Sequence, residues 1–202
     1  MKREASRSSR SSSSTGILSR VISAVSGRSE EEGDEKATDL LKSEHDEVRA
    51  LFKQFEKASD GATAAKKRTI DTISRMLEVH AEMEEKVFYP ACQNLDDEDA
   101  QRIVAESKEE HQIVKRLIKE LEPLSGSDER FTAKATVLKE SVDHHAGEEE
   151  SDLFPVAESE LGDDRLRELG RKMASMKSRL SSGRKARSAS KRVRRTASRK
   201  RR

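Results

Sequence analysis

The chain predicts an all-α fold: a four-helix bundle followed by a short fifth helix, with disordered basic segments at both ends. Between residues 37 and 160, apolar side chains recur in alternating steps of three and four, the period of one helical face. The pattern also occurs twice. EHDEVRALF, which carries His45, returns 66 residues later as EHQIVKRLI, which carries His111. HAEMEEKVFYP, which opens on His80, returns 65 residues later as HAGEEESDLFP, which opens on His145. Such a duplication is one helical hairpin used twice. Residues 1–36 and 181–202 are rich in Ser, Arg and Lys and too poor in apolar residues to build a core.

Each element follows from its own residues. The first helix presents Leu41, His45, Val48, Phe52 and Phe55 on one face, and Asp60-Gly61 closes it into a turn. The second presents Ile73, Leu77, His80, Glu84, Val87 and Ala91, and Asn94 with Asp96-Asp97 separates it from the third. The third carries Val104, Ser107, His111, Val114, Ile118 and Leu121 and breaks after Pro123. Asp128 is placed to cap the fourth, whose face reads Phe131, Ala135, Leu138, Val142, His145, Glu149, Asp152 and Val156. Gly162-Asp163-Asp164 then opens a fifth segment, residues 161–180. Its thin stripe of Leu166, Leu169, Met173, Met176 and Leu180 either docks on the bundle or stays mobile.

Six polar residues, His45, His80, Glu84, His111, His145 and Glu149, fall on the faces that packing buries. An ionised carboxylate in such a place is costly unless it is paired or ligates a cation. Four imidazoles and two carboxylates at one level of a four-helix core share a common partner, a pair of metal ions. Residues four apart project from the same side of a helix and can reach adjacent metals. A single His on an apolar face is ordinarily a hydrogen-bonded core residue; the duplicated His-x3-Glu in matched flanks favours a metal site. Mixed His/carboxylate ligation leans towards iron rather than manganese or zinc.

EHDEV, HAEMEEKVFYP, EEHQIV and HHAGEEESDLFP resemble the hemerythrin-type cation-binding domain, the His-His-Glu family, over about residues 37–160. The resemblance implies an up-down-up-down bundle holding two non-haem iron ions, bridged by carboxylates and by oxo or hydroxo groups. It makes His45, His80, Glu84, His111, His145 and Glu149 the ligands, and oxygen, peroxide or nitric oxide the small molecule addressed. One departure bears on function. Oxygen-carrying members have a second His four residues after the third-helix ligand, and here that position is Lys115. His144 lies about 100° around its helix from His145 and is expected to face outward or to lie at the seam edge. Glu82, Glu85 and Glu148 are acidic neighbours, Glu85 being the best placed to supply an extra carboxylate. The missing imidazole argues against reversible oxygen carriage and leaves redox sensing, peroxide or nitric oxide chemistry, and iron sequestration.

Other chemistries lack their signatures. The chain has no Gly-rich phosphate loop, no Ser/His/Asp order and no dinucleotide fingerprint. Cys92 is the single cysteine, so there is no disulfide framework, and its place near a helix end suits a small buried apolar residue. The net charge of +2 hides a sharp division. Residues 30–162 hold 18 Lys/Arg against 35 Asp/Glu, whereas residues 163–202 hold 17 against 3. The tail from Ser181 has eleven basic residues, no acid and no aromatic to stack on bases. Any nucleic-acid contact it makes is therefore phosphate-driven and indifferent to sequence. The alternative function is a metal-stabilised module whose tail docks on nucleic acid; a merely solubilising tail fits the composition equally. In the N-terminal arm, Ile17, Leu18, Val21, Ile22 and Val25 are too interrupted for a signal peptide or membrane span. The expected location is the cytoplasm, or an organelle if the arm is a eukaryotic transit segment.

Overall fold

The computed structural model describes residues 34–199, with side chains described through residue 183. The N-terminal arm to residue 33, expected to lack fixed structure, lies outside the described residues. The elements are helix α1 (Ala37–Lys57), α2 (Thr63–Met83), α3 (Glu98–Leu121), α4 (Glu129–Glu148) and α5 (Phe154–Arg199). No strand occurs among the described residues. The first four helices form the up-down-up-down bundle, and no described helix is long and apolar enough to cross a membrane.

Caps sit where short acidic side chains can satisfy free amides at helix starts. Asp97 accepts the Ala100 N–H at 2.7 Å and Asp128 accepts the Arg130 N–H at 2.9 Å. The expected faces are buried along α1 and α3 throughout. In α2 and α4 they hold as far as Glu84 and Glu149, where the backbone changes; beyond those points, of the expected positions, Ala91 is still buried. α2 runs through a π-helical turn, Glu84–Phe88, into a last α turn, Tyr89–Cys92; α4 runs through a second π-helical turn, Glu149–Leu153, into α5. A π turn takes one residue more than an α turn, so the residues beyond it are rotated by about 100°. The inward positions after Glu84 are thus Phe88 and Tyr89, with Val87 only partly covered. After Glu149 they are Leu153 and Phe154, while Asp152 is exposed and Val156 partly covered. The uninterrupted α-period expected there is corrected by one residue in both halves.

The polar residues form a layer that divides the core. On one side lie Val48, Phe52, Ile70, Ile118, Phe131 and Leu138; on the other lie Leu41, Met83, Phe88, Cys92, Val104 and Phe154. The Cys92 thiol is buried and pushed up to about 12, chiefly by that burial, so it stays protonated as the small apolar residue expected.

Gly162, at φ 71°, interrupts the helical run of α5, a backbone conformation that only glycine adopts without strain. Beyond it the helix returns onto the bundle and buries Leu166, Leu169 and Met173 almost completely. The thin stripe therefore docks. The docking is close: a Cβ on Gly170 would stand 2.1 Å from the Glu35 carbonyl oxygen and 3.1 Å from the Ala37 amide nitrogen. Lys36–Asp163 and Arg167–Asp34 ion pairs join the same two segments. The helical backbone then continues to Arg199, where composition predicts disorder from Ser181. Lys, Arg and Ala are good helix formers, and a helix extended from a packed turn needs no new nucleus.

Gly170→Ala is expected to push α5 off the bundle at this backbone contact. Unfolding by urea should show a loss of about 1–3 kcal/mol, as for other overpacked sites. An unchanged midpoint and slope would contradict the close approach.

Candidate metal centre

The six polar residues expected on the seam lie together in one buried layer. His45, His80, His111 and His145 are 3–5% exposed, and Glu84 and Glu149 are 0% exposed. All four imidazoles point Nε2 inward: His45 Nε2 lies 3.0 Å from His80 Nε2, and His111 Nε2 lies 3.2 Å from His145 Nε2. Glu84 stands between the two pairs. Its Oε1 is 3.0 Å from His80 Nε2 and its Oε2 is 3.2 Å from His111 Nε2. Glu149 Oε2 is 3.5 Å from His45 Nε2 and 3.6 Å from His145 Nε2. Ligating atoms converge in two groups that could hold a metal ion, His45/His80/Glu84/Glu149 and Glu84/His111/His145, with Glu84 in both.

The opposite edge of each ring explains the orientation. Every Nδ1 meets a carboxylate on the next element around the bundle, in a closed ring. Glu44 of α1 takes His80 of α2 at 2.7 Å, and Glu85, in the π turn ending α2, takes His111 of α3 at 3.0 Å. Glu110 of α3 takes His145 of α4 at 2.9 Å, and Glu150, in the π turn after α4, takes His45 of α1 at 2.8 Å. A carboxylate only accepts, so each Nδ1 carries a proton, and a ring in its neutral form, the form that ligates a metal, turns its Nε2 lone pair to the centre. Three of these carboxylates are held in turn by cations: Glu150 by Arg49 (2.8 Å), Glu85 by Lys115 (2.5 Å) and Glu44 by Lys177 (2.8 Å).

This donor set fits a cation. Both oxygens of Glu84 and Oε2 of Glu149 are buried without a hydrogen-bonding partner, although imidazole nitrogens lie beside them. Lone pairs facing lone pairs at this spacing repel unless positive charge sits among them. The field of the site says the same. Burial works against the charged forms, yet the Glu84 charge and the hydrogen bond to Glu44 raise His80 well above its ordinary value. His111 is raised to about 9 in spite of burial by contacts with Glu84 and Glu85. Glu149 goes up to about 7 because it is buried and lies beside the Glu84 charge. His45 falls to about 4 through burial and the charge on His80.

The expected neighbours take other roles. Glu85 is not turned inward: its His111 and Lys115 contacts hold it near 2. Lys115 points to Glu85 rather than to the centre. Glu82 pairs with Lys86, and Glu148 lies 3.5 Å from an outward-facing His144. One further contributor escapes the periodicity. Tyr89 donates its hydroxyl to Glu149 Oε1 at 2.8 Å and stacks on His111 at 5.7 Å between centroids. Phe154 occupies the equivalent position in the other half, five residues after Glu149 as Tyr89 is five after Glu84, and stacks on His45 at 6.1 Å. Lacking a hydroxyl, it leaves Glu84 with both oxygens free. The aligned repeat FYP/LFP carries this difference openly.

Known proteins agree with this geometry. A model of the hemerythrin HHE cation binding domain matches residues 36–157, and the chain belongs to that family. It is 24% identical over 129 residues to an uncharacterized hemerythrin-like protein of Schizosaccharomyces pombe, covering 64% of this chain and 63% of that one. It is also 27% identical over 161 residues to a Nostoc protein named a DNA nickase, covering 79% of this chain and 44% of that one. The chain thus spans about half the length of the curated relatives it matches. A crystal structure of a hemerythrin HHE cation binding domain-containing protein from Mycobacterium kansasii superposes with a TM-score of 0.64 at 25% identity, covering 74% of this chain and 89% of that one.

Tyr89→Phe removes the only donor to Glu149 Oε1 among the described residues and keeps the ring stacked on His111. In metal-depleted protein this should cost about 1–3 kcal/mol of unfolding free energy, the penalty for a buried acceptor left without a donor. Equal denaturation curves for the two proteins would show that the hydroxyl does not support Glu149.

Proposed function

We propose that this hemerythrin HHE-family chain is a non-haem di-iron protein that senses or removes a small oxidant, acting in the cytoplasm. His45, His80, Glu84, His111, His145 and Glu149 are the ligands. The observation that carries the reading is the buried Glu84 carboxylate, which offers one unpartnered oxygen to each pair of inward-facing imidazoles.

Each residue has a part in this reading. His45 and His80 would hold one ion and His111 and His145 the other, with Glu84 and Glu149 supplying carboxylate oxygens to the centre. The outer ring of Glu44, Glu85, Glu110 and Glu150 fixes the imidazole tautomers and raises their basicity. Tyr89 keeps one Glu149 oxygen turned away from the centre. Four nitrogens, two Glu84 oxygens and one Glu149 oxygen are few donors for two metal ions, so a bound pair would leave room for a small ligand. When bound, ferrous ions supply electrons and open positions to oxygen, peroxide or nitric oxide. Lys115, tied to Glu85 where an oxygen carrier has a further imidazole, removes one ligand and favours reaction over reversible carriage.

Metal analysis should find about two ions per chain, some 3–4 Å apart as in other dinuclear carboxylate sites. Glu84→Ala should lose both together, because one carboxylate serves both; retention of one tightly held ion would indicate independent sites. Chelation should lower the melting temperature, since metal at a hundredfold excess over its Kd stabilises by about 2.7 kcal/mol. Anaerobic loading with ferrous iron, then oxygen, peroxide or nitric oxide, should change the visible absorption. A spectrum inert to all three would leave storage or a structural metal.

A second reading rests on the basic tail and on the relative named a DNA nickase. In it, residues 181–202 dock the domain on nucleic-acid phosphates without reading sequence. Truncation after Leu180 should abolish duplex DNA retention, lower helicity by no more than the contribution of residues 181–199, and leave metal content intact. The full chain should lose affinity with salt at a slope below that of eleven phosphate contacts, because the acidic bundle competes for the tail. DNA binding that survives truncation would sink this reading.

A further inference from the structure

We infer that α5 is part of the metal centre, and that Lys177 is a positioning residue for His80 acting through Glu44. The inference rests on the metal-binding reading above and extends it beyond residues 36–157, where the family match ends.

The geometry is a linear relay. Lys177 Nζ lies 2.8 Å from Glu44 Oε1, and the other oxygen, Oε2, lies 2.7 Å from His80 Nδ1. Glu44 is 5% exposed and has no route to full hydration. A buried carboxylate needs opposing charge on the side away from its imidazole if it is to hold that imidazole in one tautomer and one orientation. Lys177 supplies it. Its side chain is 42% exposed, so the ammonium keeps contact with water while reaching the buried oxygen.

The position of Lys177 is built rather than incidental. It lies one turn beyond Met173, which is fully buried, on the face that docks through Leu166 and Leu169. The Gly170 approach to residues 35–37 sets the depth of this docking. Among the cations backing the outer carboxylates, Arg49 and Lys115 belong to the bundle helices and pair with Glu150 and Glu85. Lys177 comes from outside the bundle. The same helix continues to Arg199 through the basic stretch, so whatever displaces α5 removes support from one ring of the centre.

The test measures metal affinity, with ferrous iron as the probe under anaerobic conditions and a competing chelator. Lys177→Met keeps an apolar stem against the bundle and removes the charge. It should weaken iron binding about tenfold, the lower end of the range for partners that hold metal-ligating His residues. Lys177→Arg should restore affinity, which a role in helix packing alone would not require. Glu44→Gln should weaken binding as well, and adding Lys177→Met to it should cause little further loss, since the Lys acts through Glu44. Circular dichroism and amide exchange at Leu166–Met173 should match wild type in each variant. Wild-type affinity in Lys177→Met, or losses that add fully in the double variant, would overturn the inference while leaving the di-iron reading intact. A wild-type chain that binds no iron would overturn both.

Discussion

Two fully buried carboxylates, three of whose four oxygens have no hydrogen-bond partner, are the constraint around which this bundle is organised. Glu84 and Glu149 have no access to water, and the apolar blocks above and below them offer no compensation. Such groups are tolerable only with positive charge close by. The surrounding architecture delivers it: four imidazoles face inward, three of them with raised proton affinity, and each is locked from behind by a carboxylate of the neighbouring element. The ring closes because four elements in cyclic order each lend one carboxylate to the next. A bundle with the same helices in another order would break it.

The two π turns belong to the same solution. Each starts at one of the buried carboxylates, and each rotates the following residues so that Tyr89 and Phe154 cover an imidazole. Single π turns inside α-helices are uncommon and recur at functional sites. Here the duplicated backbone is not matched by duplicated chemistry. Tyr89 ties down one oxygen of Glu149, whereas Phe154 can tie down none of Glu84. The halves are therefore alike in fold and unequal in chemistry: Glu84 keeps both oxygens without a partner and belongs to both groups that could hold a metal ion, whereas Glu149 keeps one.

Much of this was legible in the sequence, for reasons that differ by residue. His45, His80, His111 and His145 stand at positions where a constant helical period predicts burial, and burial of polar groups in register on four segments already implies a common partner. Val87, Asp152 and Val156 were placed inward, one residue before the buried Phe88, Leu153 and Ala157, because a periodic reading assumes an unbroken α-helix. The consecutive large apolar pairs before Pro90 and Pro155 were the available signal. The outer carboxylates were hidden in plain view: Glu44, Glu85, Glu110 and Glu150 each adjoin a seam residue in the chain, yet each serves an imidazole on a different element.

Sequence alone determined the helical class, the duplication, the buried polar layer and the unequal division of charge, since each depends on residue order and local periodicity. Only the tertiary structure decided which carboxylate meets which imidazole, which oxygens remain without partners, and that α5 brings Lys177 to Glu44 across a span of 133 residues. Those outcomes depend on the cyclic order and depth of helix packing. Two side chains a few ångströms apart on neighbouring helices leave no mark in a one-dimensional pattern when more than a hundred residues separate them.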